Sequence, residues 1–224
     1  DLAFFLEHKD DQVYIMEEYV RGYVQTYDAI VDSKGQPLFE SGNITPFSLM
    51  DTVNDNLDSV YYLVKDLPEN IRSAGLRTVR SFGVKSRFIH LEFFILSEDQ
   101  EGLGKAGDVL GLEVNMRPAG GYTPDMYNYS QETDVYKIWA DMVCFDTNTK
   151  PTGKHHFCAF YGRRDGNHYR LDDYEIMMKY AGHIVMNGRI PDALSGAMAN
   201  QMYVGNFDTE AEMQEFYRDL SDRL

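Results

Sequence analysis

Three features of this 224-residue chain predict an α+β fold, a mostly antiparallel sheet flanked by helices. Residues 88–96 (FIHLEFFIL) and 109–117 (VLGLEVNMR) alternate apolar and polar side chains, and the stretch between them is rich in Gly and charge. Successive side chains leave a strand on opposite sides, so this is a hairpin pattern. Residues 23–31 and 37–41 form a second hairpin pattern around Asp32-Ser33-Lys34-Gly35, where Asp and Gly are turn chemistry. Residues 134–144 place Val135, Ile138, Trp139 and Met142 in one helical stripe. Hairpins mixed with helices, without a βα repeat, define the class.

In chain order, residues 1–9 have helical spacing, with Leu2, Phe5 and Leu6 on one side, and residues 13–20 read as a strand that Gly22 ends. After the first hairpin, residues 46–65 are mixed and partly helical. Residues 68–82 form a helix with Pro68 in its first turn and Ile71, Ala74, Leu76 and Val79 as its apolar positions. This helix should pack beside the 88–96 hairpin. Pro118-Ala119-Gly120-Gly121 is a loop, and residues 156–161, 184–186 and 198–204 are short strands. A last helix follows Asp208-Thr209, with Thr209 and Glu212 at capping-box spacing and Met213, Phe216 and Leu220 as its stripe.

Charge narrows the function. Lys and Arg number 21 against 36 Asp and Glu, a formal charge of −15. Such a field repels a phosphate backbone, which argues against nucleic-acid binding, although a local cation still permits a nucleotide. No apolar run is long enough to span a bilayer, so no membrane role is expected. Cys144 and Cys158 both sit in apolar sequence and read as buried free thiols of a cytoplasmic protein. The chain starts at Asp1 and is expected to be a fragment of a longer protein.

The chemistry is concentrated on the polar sides of the 88–117 hairpin. Ile89, Leu91, Phe93 and Ile95 form one apolar face, and Leu110, Leu112, Val114 and Met116 another, which leaves His90 and Glu92 opposite Glu113, Asn115 and Arg117. In a symmetric hairpin Glu92 faces Glu113. Opposed like charges destabilise a sheet and call for a counter-ion. Two carboxylates and an amide oxygen are ligands for a hard cation such as Mg²⁺. From spacing alone, a merely solvated sheet face explains the same residues. Elsewhere, His155-His156 fits no zinc spacing, Gly153-Lys154 lacks the upstream Gly of a phosphate loop, and Arg163-Arg164 reads as a charged strand end. Residues 51–58 lack the Gly and Glu of a Ca²⁺ loop, and Met177, Met178, Met186, Met198 and Met202 read as core filling.

FIHLEFF and LEVNMRPAGG resemble the ATP-grasp superfamily, in the C-terminal part of its ATP-binding region, over roughly residues 10 to 145. The resemblance implies that Glu92, Glu113 and Asn115 hold Mg²⁺ (or Mn²⁺) bridging ATP phosphates. It also implies that Arg117 holds the transferring phosphate and that Phe94 packs on adenine. MEEYVRG resembles the family hinge and implies adenine contacts at Glu17, Glu18 and Val20; Gln25 or Asp28 would serve the ribose. Gly120 and Gly121 would admit backbone N–H groups to the substrate's anionic end. The implied organisation is the end of a small subdomain plus hinge at 1–22, a core lobe at 23–145 and an α+β extension at 146–224. The implied protein is a carboxylate–amine ligase, similar to the carbamoyl-phosphate synthase large chain, acting on small carboxylate and amine substrates. A biotin-carboxylase-like carboxylase and a non-catalytic nucleotide-binding module are the alternatives. The family's nucleotide-binding lysines and Gly-rich flap would belong to missing N-terminal domains, so the chain alone is expected to fold without turnover. A homodimer stays open.

Overall fold

The computed structural model describes residues 2–10, 13–46 and 56–224. After helix α1 (Leu2–His8) come strands β1 (Gly22–Val31), β2 (Pro37–Ser41), β3 (Asn43–Thr45) and β4 (Ser59–Leu63), helix α2 (Glu69–Ser81), and strands β5 (Arg87–Leu96) and β6 (Val109–Asn115). The second half holds α3 (Thr123–Ser130), α4 (Val135–Phe145), β7 (Phe157–Arg163), α5 (Asp173–Lys179), β8 (Ile184–Arg189), α6 (Asp192–Met198), β9 (Gln201–Phe207) and α7 (Glu210–Ser221). All strands join one antiparallel sheet in the order β6-β5-β1-β3-β4-β7-β9-β8, with β2 also on β1. The α+β reading holds. The sheet is continuous across residue 145, because β4 pairs with β7. Among the described residues no helix is long and apolar enough to cross a membrane.

Helices cover both sheet faces. On one side, Ile71, Ala74 and Val79 of α2 pack on Tyr27, Ala29 and Val31 of β1 and on Ile89, Leu91, Phe93 and Ile95 of β5. On that side too, α5 and α7 bury Ile176, Met213, Phe216 and Leu220 on Ala159 and Tyr161 of β7. The other side takes α3 and α4, whose Met126, Tyr127, Val135, Ile138 and Met142 pack on Ile30, Phe88, Leu63 and Phe160. Pro68 immediately precedes α2 with no side-chain capping bond, Asp134 accepts from Lys137 N–H to cap α4, and Thr209 with Glu212 closes a capping box on α7. Each of these starts follows from local sequence.

Several expectations need correction. Residues 13–21 form no regular element, and β1 begins at Gly22 instead of ending there. A Cβ at Gly22 would overlap the Ile95 carbonyl oxygen, so glycine there permits the pairing of β1 with β5. Of the described residues in 46–65, Ser59–Leu63 form strand and none is helical, and residues 47–55 lie outside the described residues. Residue Met198 ends α6, and β9 begins only at Gln201. Helices α3 and α5 were not anticipated, although Pro124 at the start of one and the Asp172–Glu175 capping box of the other are local signals. Cys158 is buried, with its thiol pKa pushed up by desolvation, but Cys144 is exposed.

Arg163 and Arg164 are buried rather than a charged strand end. Arg163 donates to the carbonyls of Leu220, Leu171 and Asp219, and Arg164 to those of Leu57, Ser195 and Gly196. Both side chains are braces between segments. Asp58, the last residue of the acidic run, is a buried acceptor for the Tyr161 and Tyr169 hydroxyls; residues 51–55 of that run lie outside the described residues. Met178 is exposed, whereas Met202 is core.

Candidate active site

The polar face of three adjacent strands is fixed by register. Asp28 of β1 stands opposite His90 of β5, which stands opposite Asn115 of β6. One step along, Thr26 faces Glu92, and Glu92 faces Glu113. Residues directly opposite in an antiparallel ladder share a face. All six therefore project from the side that α3 and α4 cover farther along, at Ile30 and Phe88. Beyond the reach of those helices burial relaxes, from Phe88 and His90, both buried, to Glu92 and Phe94, both half-buried.

A bulge makes this alignment. Phe93 pairs with Gly111 and Glu92 with Glu113, so Leu112 is an extra residue in β6. Without it Glu92 would face Leu112, and Glu113 would turn to the α2 side. The bulge also corrects the expected apolar face of β6: Leu110 lies opposite Phe94 on the polar side, and Val114 opposite Leu91 on the other. Leu112, Val114 and Met116 are exposed on this edge strand.

A hydrogen-bonded chain runs under the site. The Asn43 backbone N–H donates to Thr26 Oγ1 (2.9 Å), and the Thr26 hydroxyl donates to Asp28 Oδ2 (2.6 Å). Asp28 Oδ1 lies 2.5 Å from His90 Nδ1, and His90 Nε2 lies 3.0 Å from Glu92 Oε1. A carboxylate at each ring nitrogen favours a proton on both, the imidazolium form of His90. Burial opposes that charge, but the charge and hydrogen bonds of Asp28 and then Glu92 outweigh it and raise the His90 pKa to about 10. The Glu92 carboxyl is held below its ordinary value, chiefly by the His90 hydrogen bond, against desolvation and with help from Arg117 and Glu113. Tyr127 of α3 buries its hydroxyl close enough to Asp28 to feel its charge, and burial drives that phenol well above its usual pKa.

The Asn115 amide nitrogen is buried without a hydrogen-bond partner among the described residues. An orphaned amide beside two opposed carboxylates fits a site completed by an outside ligand. Among the described residues no three His, Cys, Asp or Glu side chains group as a metal site. The available donors are therefore two carboxylates and one amide oxygen, a set that suits a hard cation completed by water or phosphate oxygens.

No family model matches the chain, and no curated protein matches it. Solved structures do. L-amino acid ligase from Bacillus licheniformis is similar at a TM-score of 0.61 and 15% identity, over 92% of this chain and 51% of that one. Phosphoribosylglycinamide synthetase from Anaerococcus prevotii is similar at a TM-score of 0.58 and 13% identity, over 91% and 52%. N5-carboxyaminoimidazole synthetase from Staphylococcus aureus complexed with ADP is similar at a TM-score of 0.56 and 11% identity, over 92% and 51%. The chain shares the fold of these structures, as the sequence resemblance implied. The chain spans about half the length of each of these structures.

Within this lobe, Glu92, Glu113 and Asn115 share one face, and Phe94 lies on it beside Val24 and Leu110. Arg117 is exposed just past β6, where it acts electrostatically on Glu92 and donates to the Pro118 carbonyl (3.0 Å). Gly120 and Gly121 lead from there to α3. Gly120 faces open space, whereas Gly121 has φ +61° and a Cβ there would press on Met198. Glu17 and Glu18 are exposed and Val20 is half-buried, in a segment tied to the β5–β6 connection through the Tyr19 carbonyl and Arg21 N–H, both bonded to Gln100. The lobe does not bring Gln25 to the site. Gln25 pairs with Phe93, so its side chain is buried on the opposite sheet face. Asp28 is committed to His90 and Thr26. Sequence reasoning left Thr26 and Tyr127 out of the site, offered Asp28 only as a ribose contact, and placed His90 on the polar face without a role. The Thr-x-Asp and His-x-Glu alternations signal three of them, but only the β1–β5 register joins them.

A cleft of about 770 Å³ lies on the other face of the sheet, lined by Tyr23, Tyr62, Tyr161, Arg218 and Arg223 among others. It is separate from the Glu92–Glu113 face.

Proposed function

We propose that this chain is the metal- and nucleotide-holding lobe of an ATP-dependent carboxylate–amine ligase. The observation that supports it most is the direct pairing of Glu92 with Glu113, with Asn115 on the same face, in an ATP-grasp lobe. In the proposed reaction a substrate carboxylate attacks the γ-phosphate of ATP, giving an acyl phosphate and ADP. An amine then attacks the acyl carbon, and phosphate leaves as the amide forms. When bound, Mg²⁺ would neutralise charge on the transferring phosphates. Glu92, Glu113 and Asn115 would hold it. The planar donor fork of Arg117 would meet oxygens that gain charge. Phe94, flanked by Val24 and Leu110, offers an apolar bed for the adenine ring, and the backbone near Glu17, Glu18 and Val20 would meet its edge. Gly120, with nothing over it, leaves backbone open to the substrate's anionic end. Further domains of the same protein would supply the remaining nucleotide contacts and the substrate site.

In the whole protein, Glu113→Gln should reduce Mg²⁺-dependent ADP formation by at least about 100-fold, the scale of losing one electrostatic stabiliser. The denaturation midpoint should stay close to wild type, because Glu113 is exposed. Wild-type turnover in this variant would remove the role from Glu113. ATP–Mg²⁺ binding by the wild type without ADP formation would favour the non-catalytic module.

A further inference from the structure

We propose that Asp28 and His90 are positioning residues for Glu92, clamping one of its carboxylate oxygens so that it presents a single oxygen to a divalent cation. This rests on the proposed function, because it assigns Glu92 a cation to bind.

The hydrogen bonds run in one consistent sense from the backbone to the site. The Asn43 N–H donates to Thr26, Thr26 donates to Asp28, and His90 donates to both Asp28 and Glu92. Thr26, Asp28 and His90 are all buried, Asp28 completely at 0% exposure, so packing fixes their rotamers as well as their bonds. Only the last member, Glu92, reaches the open part of the face. Its Oε1 is taken by His90, which leaves the other oxygen for a ligand.

An ion-pair network that served stability alone would close on itself. This one ends at Glu92, directly opposite a second carboxylate, an arrangement that costs the sheet stability unless something positive joins them. A buried carboxylate–histidine pair behind a ligand carboxylate is also the kind of support that fixes ligand orientation at metal sites, where its loss weakens binding about 10–100-fold.

The test is Mn²⁺ binding to the whole protein with ADP present, followed by the electron paramagnetic resonance signal of free Mn²⁺. His90→Gln should weaken Mn²⁺ binding about 10–100-fold, and Glu92→Ala should weaken it as well. If His90 acts through Glu92, adding His90→Gln to Glu92→Ala should cause no further loss. A structural role predicts losses that multiply. Thr26→Val removes one link without removing a charge, and it carries the same test with an expected loss of several-fold if His90→Gln does not fold. Wild-type affinity in folded His90→Gln or Thr26→Val, or multiplicative losses in the double variant, would overturn this proposal alone. A wild type that binds no Mn²⁺ would overturn the proposed function and this inference with it.

Discussion

His90 binds its proton more tightly in the folded chain than its ordinary value near 6.5 allows, because Asp28 and Glu92 hold both N–H groups. The stability this adds is complete below about pH 6.5 and is lost as pH rises toward about 10. Urea midpoints measured from pH 6 to 10 should therefore fall for the wild type and fall less steeply for His90→Gln. Parallel slopes would show that His90 is not protonated in the fold. At this scale Glu92, Glu113 and Asn115 were legible because alternation places each on the polar side of its strand. The link from Asp28 to His90 was not, since it joins residues 62 apart in sequence through a register that no local pattern encodes. The displacement of Gln25 has a similar cause: its parity on β1 is readable, but the face that becomes the site is known only once β5 pairs beside it.

Elements were legible where local chemistry was unambiguous. The α4 and α7 helices follow the side-chain caps Asp134 and Thr209, and α2 follows Pro68, whose fixed φ suits a helix start. The 13–20 segment was misread because its apolar residues suggest a strand, while a strand exists only if a neighbour accepts its hydrogen bonds. The short α5 and α6 have little periodicity to show over seven residues each. Helix α2 shows how closely packing overrides propensity. Ala is a better helix former than Gly by ~1 kcal/mol, yet a Cβ at Gly75 would run into the Tyr27 ring, which is fully buried. Gly75→Ala should therefore destabilise the chain by about 1–3 kcal/mol, visible as a lower denaturant midpoint. A stabilised variant would mean that α2 can shift away from β1 without penalty.

For the whole molecule, the nine-stranded sheet distributes the core over three clusters, and the site occupies the part of one face left uncovered by α3 and α4. The α+β class was readable from hairpins and stripes, whereas the strand order rests on long-range pairings such as β1 with β5 and β4 with β7. Outside this core, Val13 is 100% exposed and Ile15 82%, with Met16 also open. Replacing these three with Ser should leave thermal stability of the isolated chain within about 0.5 kcal/mol, while lowering its binding of a hydrophobic dye. A large loss of stability would show that the segment folds onto the lobe.

The extra residue at Leu112 brings together two carboxylates that strict in-step pairing of all of β6 would set on opposite faces. Removing that residue would bring Phe93–Gly111 and Glu92–Glu113 into uninterrupted pairing, with the second carboxylate still beside the first. A frame-preserving deletion of Leu112 should thus yield a well-folded protein that keeps its divalent-ion affinity, and loss of that affinity would show that the bulge itself shapes the site.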